Sequence, residues 1–179
     1  MLTIIVGGTE FYDELKEKFV VDGGTPLKLE HSLVSLSKWE ATYERPFLGK
    51  EEKTGEEVLA YVQCMAMDQK TPGEVFQQLS VKNFEAINEY IDAKMTATWF
   101  SDAPVPRTTE VVTAELVYYW MTVFNIPWEA QHWHLNRLFT LIRICNIKAA
   151  KPKKMSRTEL AARQRSLNEQ RKAQLGTKG

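Results

Sequence analysis

The chain has 179 residues, 44% of them hydrophobic and 26% charged, which suits one globular domain with an appendage and excludes disorder throughout. Its formal net charge of zero conceals a polarity: residues 148–179 carry ten Lys and Arg against two Glu, or +8, and residues 1–147 carry −8. The longest helix-like apolar stretch, 111–124, is interrupted by Thr113, Glu115 and Thr122 and falls short of the roughly 20 residues of a bilayer span.

Residues 1–31 read as a small antiparallel β-meander. Residues 3–6 are β-branched and apolar and stop at Gly7-Gly8; 18–21 lead into the turn signal Asp22-Gly23-Gly24; Leu27-Lys28-Leu29-Glu30 alternates as a half-buried strand does. Residues 10–15 are ambiguous. From Ser32 the period becomes helical, aligning Leu33, Leu36, Trp39 and Tyr43 until Arg45-Pro46 stops it. Beyond an acidic loop at 49–53, Thr54 and Glu57 form a capping box that opens a helix with Val58, Val62 and Met65 on one face. Thr71-Pro72-Gly73-Glu74 reads as a second start, with threonine as N-cap and proline at the first helical position. Phe84, Ile87 and Ile91 mark a further short helix, capped by Asn83. Residues 95–100 are a β-prone run that either joins the strands or connects.

Two long helices are expected at 109–125 and 128–147, divided by Ile126-Pro127. The first carries Val112, Leu116, Tyr119 and Val123 on one stripe and is apolar nearly all round, so it should be central. The second aligns Leu135, Leu138, Ile142 and Cys145. Leu116, Trp120, Leu138 and Ile142 should be buried between the two. A lysine-proline linker follows, then a third capping box, Ser156 and Glu159, opening a helix that runs to about Leu175 and stops at Gly176. Its apolar content, chiefly Leu160, Leu167 and Leu175, is too thin to hold it strongly against a core. The fold class is thus α+β, mainly α: a β-meander (1–31) and a helical bundle (32–147) in one globular domain, then a basic linker and tail helix (148–179).

No catalytic or metal-binding constellation emerges, and neither a metal nor a cofactor is expected. His132 and His134 stand two apart on an expected helix, roughly 200° around it, where chelation needs a spacing of three or four. His31 stands alone beside Glu30. Ser32, Ser35 and Ser37 lack a nucleophile elbow, and Gly7-Gly8 and Gly23-Gly24 lack the rest of a phosphate loop. The paired acids Glu51-Glu52 and Glu56-Glu57 read as solvated helix starts. Cys64 and Cys145 lie in apolar periodic stretches, as buried free thiols of a reducing compartment do. Met1 to Val6 is too short for a secretory leader, so a cytoplasmic location is expected.

The remaining signals point to protein partners. Trp120, Trp128 and Trp133, with Tyr118 and Tyr119, are core or interface candidates, because tryptophan and tyrosine dominate interface hot spots. Arg157, Arg163, Arg165, Arg171 and Lys172 suit docking against an acidic protein surface, including another copy of the chain. Nucleic acid ranks last, for no stacking aromatics interleave the basic residues and the rest of the chain is acidic.

Three stretches carry a resemblance: Leu29-Glu30-His31-Ser32-Leu33-Val34-Ser35-Leu36-Ser37-Lys38-Trp39-Glu40 with Arg45-Pro46-Phe47-Leu48; His132-Trp133-His134-Leu135-Asn136-Arg137-Leu138 after Ile126-Pro127; and the ending from Leu167 to Gly179. They resemble tail assembly chaperones, or related proteins of the tail gene cluster, of long-tailed bacteriophages. The resemblance implies a non-enzymatic protein of the host cytoplasm that binds the tape measure protein and recruits tail tube protein. The alternative it leaves is a structural component retained in the virion.

Overall fold

The strands among the described residues are β1 (Leu2–Val6), β2 (Thr9–Asp13), β3 (Lys18–Asp22) and β4 (Thr25–Leu29). They are antiparallel as expected but are not paired in meander order: β1 pairs β4, and β2 pairs β3. Both pairs share one register, Val6 opposite Thr25 and Thr9 opposite Asp22. Continuing it by count would set Gly7 against Gly24 and Gly8 against Gly23, the glycines at which the two sheets part. Gly7, Gly8 and Gly23 have positive φ, which ordinary side chains resist, and a Cβ on Gly24 would sit 2.2 Å from Ile5 Cγ2. The structure, a computed structural model, describes residues 1–13, 17–68, 70–100, 111–150 and 157–176.

Among the described residues seven helices follow: α1 (Leu33–Tyr43), α2 (Gly55–Met65), α3 (Gly73–Gln77), α4 (Val81–Asp92), α5 (Ala114–Val123), α6 (Leu135–Ala149) and α7 (Arg157–Leu175). The fold is α+β and mainly α. It comprises two compact units, Met1–Cys145 and Asn146–Gly179, the second holding the end of α6 and all of α7.

Capping explains most of the boundaries. Ser32 with Ser35, Thr54 with Glu57 and Ser80 with Asn83 each form a reciprocal box that satisfies two otherwise orphaned N–H groups. Asn83, expected as a cap, is the third residue of α4, and Ser80 is the cap. At α3, Pro72 occupies the cap position, while Thr71 donates its hydroxyl to the Asp68 carbonyl. Residues 95–100 take no strand. The helix expected over 109–125 is shorter: residues 111–113 are not helical, Thr113 caps it, and it ends at Val123, while the side chains of Ser156 and Glu159 fall outside the described residues.

Two hydrophobic clusters fill the first unit, and α1 serves both. On one side Trp39 joins Ile4, Val6, Leu27 and Leu29 of the inner strands to Tyr61, Val62 and Met65 of α2, with Phe76 and Ile87 beyond. On the other, Leu33 and Leu36 pack with Ala114, Val117 and Met121 of α5 and with Leu135, Leu138 and Ile142 of α6. Leu138 and Ile142 are buried as expected. Leu116 and Trp120 are only half-buried, and Tyr119 and Val123 of the expected stripe are exposed. A helix apolar on every side leaves its inward face open; here a neighbouring element chooses it.

That element is Glu40. Its carboxylate is 7% exposed and accepts two backbone N–H groups, from Phe47 at 2.9 Å and from Ala114 at 2.7 Å. The first pins the turn after α1. The second pins the first residue of α5, bringing the small Ala114 inward and carrying Val117 and Met121 with it.

The expected helix at 128–147 is also divided. Trp128–His132 form a 3-10 turn, Trp133 is extended, and α6 starts only at Leu135. The break lets Ser32 and His134 form an isolated antiparallel bridge, with the Leu135 N–H donating to the His31 carbonyl at 2.7 Å.

Glu40→Gln replaces one acceptor oxygen by a donor and leaves a buried N–H unmatched. We expect a loss of about 1–3 kcal/mol in urea denaturation, the usual cost of such a group. Met121→Ala should cost about 2–5 kcal/mol and Tyr119→Ser less than about 0.5. Equal costs for these two would place the inward face of α5 wrongly.

Candidate functional site

His31 and His134, far apart in sequence and dismissed separately there, meet edge to face with ring centroids 5.2 Å apart. Both are buried, at 3% and 4% exposure. Burial pushes the Tyr61 hydroxyl well above its ordinary range, so it keeps its proton and donates to His31 Nδ1 at 2.6 Å. His134 donates from Nε2 to the Tyr90 carbonyl at 2.9 Å, and its Nδ1 accepts the Asn136 N–H at 3.3 Å. Both ring nitrogens of His134 are therefore used by the neutral form, and a second proton would oppose an N–H. Around the pair, the Tyr90 hydroxyl donates to Glu30 at 2.6 Å, and Glu30 also binds the N-terminal ammonium at 2.7 Å. This junction joins the corner after β4 to the corner before α6. The sequence carries no signal for it, because only the chain reversal at Trp133 brings the two histidines together.

Burial, reinforced by the neighbouring His134, holds the His31 imidazole down to about 4. His134 is lowered by burial as well, against the opposing pull of the Tyr90 carbonyl and the Glu30 carboxylate. Cys64 borders a cleft of about 430 Å³ lined by Lys38, Gln63 and Asp68, and burial pushes its thiol up, away from the reactive thiolate. Both cysteines are free thiols and half-buried rather than buried. Among the described residues no group of three or more His, Cys, Asp or Glu could hold a metal ion, and no described helix is long and apolar enough to cross a membrane.

The partner-binding candidates divide between the two units. Trp128 is 56% exposed and its ring lies 5.6 Å from that of Tyr118, whose hydroxyl donates to Gln131. Tyr119 and Val123 are exposed nearby in sequence. Trp120 and Trp133 are half-buried against the second cluster, and the Arg137 guanidinium covers the Trp133 ring at 4.3 Å. One of the three tryptophans is thus exposed and two are half-buried. Arg163, Arg165, Arg171 and Lys172 stand on α7, where every described side chain is exposed; the side chain of Arg157 lies outside the described residues.

The histidine pair has a measurable consequence. A folded-state value below that of the unfolded chain, about 6.5, means that the unfolded chain binds the proton first. The stability contributed by neutral His31 is complete above about pH 6.5 and is lost as pH falls toward about 4, by an amount on the order of 3 kcal/mol. Urea midpoints measured between pH 7 and 4.5 should fall in the parent and fall less steeply in His31→Gln. Parallel curves would show that His31 is not the titrating group.

No family model, curated protein or solved structure matches this chain, so its function must be argued from its own residues.

Proposed function

We propose that this protein is a phage tail morphogenesis factor of the host cytoplasm, a chaperone that binds the tape measure protein and recruits tail tube subunits. The observation that carries the reading is α7, a basic 19-residue helix with every described side chain exposed. Such a helix is about 28 Å long at about 1.5 Å per residue. At about 100° per residue, Leu160 and Leu167 lie roughly 20° apart and Leu175 roughly 60° to the other side of Leu160, with Arg171 between Leu160 and Leu175 and Arg163 about 40° beyond Leu167. A sparse leucine face interleaved with arginine suits a partner helix that presents apolar and acidic residues together. The exposed Tyr119, Val123 and Trp128 of the first unit offer a second apolar surface. The resemblance of the α1, α6 and α7 segments to tail assembly chaperones supplies the identity of the partners.

Removal of residues from 151 onward should leave thermal stability within about 1 kcal/mol, since a helix held by surface charge adds no more. The same truncation should weaken capture of purified tape measure protein, most strongly at low salt, where charges are least screened. Unchanged capture at low salt would remove the docking role. Mass spectrometry of purified virions addresses the other reading: stoichiometric retention of this chain would make it a structural component instead of a chaperone.

A further inference from the structure

A separate cleft of about 580 Å³ opens in the first unit between residues 94–100 and α6. Trp99 at its edge is 78% exposed, and the Lys94 ammonium lies 3.9 Å from the centre of its ring. The Arg143 guanidinium lies 3.9 Å from the centre of the Phe100 ring. Phe139 adds a third aromatic wall, and Thr140 lines the cleft beside it. No described carboxylate lines the cleft, and among the described residues neither Lys94 nor Arg143 is ion-paired. Two cations with no ion pair among the described residues, set among three aromatic rings, stand out on a body that carries −8 overall.

We propose that this cleft is a binding site for an acidic peptide segment of a partner protein, one carrying carboxylates beside an apolar or aromatic residue. The cations would meet the carboxylates, and the rings would seat the apolar side chain. A phosphate group fits less well, because phosphates are characteristically held by unspent backbone N–H groups at a helix start or a glycine turn. The first four N–H groups of α6 are already committed: Leu135 to the His31 carbonyl, Asn136 to His134 Nδ1, and Arg137 and Leu138 to the His134 carbonyl. The Asn136 side-chain amide is spent as well, donating to the carbonyls of Ile91 and Ala93. What remains is side-chain charge and aromatic surface, which suits carboxylates on a flexible chain. The site belongs to the first unit and does not depend on the tail-chaperone reading.

The test is fluorescence anisotropy on the full chain at low salt, with a short fluorescein-labelled peptide of glutamates flanking a phenylalanine. Its glutamine counterpart serves as the control. The acidic peptide should bind saturably and the glutamine peptide should not. Lys94→Gln with Arg143→Gln should weaken binding by about tenfold or more, as loss of charge-assisted contacts does. Trp99→Ala should weaken it too. Lys94→Glu alone, at an exposed position, gives the same readout without disturbing the fold. Equal binding of the two peptides, or undiminished binding by the variant that lacks both Lys94 and Arg143, would overturn the proposal. So would tighter binding of a labelled single-stranded oligonucleotide that the cleft variants abolish, which would reassign the site to phosphate.

Discussion

The arrangement of the first unit depends on one buried carboxylate. Glu40 sits on the helix that both hydrophobic clusters share, and its two oxygens take N–H groups from segments far apart in sequence. A buried carboxylate is costly unless its acceptors are satisfied. Here backbone donors satisfy them, so the turn at Phe47 and the start of α5 are fixed relative to α1. Trp39, one residue earlier, repeats the device on the opposite cluster by donating its indole N–H to the Glu57 carbonyl. Consecutive residues of α1 thus bind the two halves of the core to a single helix.

Much of the local structure was legible in the sequence, because it is decided locally. Ser32, Thr54 and Gly176 mark helix ends by chemistry that acts within four residues, and the alternation at 27–30 needs only one buried face. The orientation of α5 was not legible. Its Val112–Leu116–Tyr119–Val123 stripe and its Ala114–Val117–Met121 stripe are comparably apolar, and a hydrogen bond to Glu40, 74 residues away, decides between them. The same holds for the corner at Trp133: a continuous helical period hides a break that serves a bridge to Ser32.

Candidate sites divide in the same way. Composition singled out the basic helix and the tryptophans, since charge and aromatic content need no fold to be counted. Composition could not reveal that Trp120 and Trp133 are half-buried while Trp128 is exposed, or that Lys94, Trp99, Phe100 and Arg143 converge. The convergence joins a loop to a helix more than thirty residues later, and each residue taken singly is ordinary.

The parting of the two sheets at glycines bears on how this protein can change over time. Because the outer pair β2–β3 continues the register of β1–β4 by count across those glycines, it is a terminal extension of the inner pair. Paired deletions or insertions on the two outer strands would shift no inner residue, and Ile4, Val6, Leu27 and Leu29 would keep their places in the core. The outer hairpin is therefore a module of adjustable length that could accept a graft, while the glycines mark the line inward of which strand side chains enter the core.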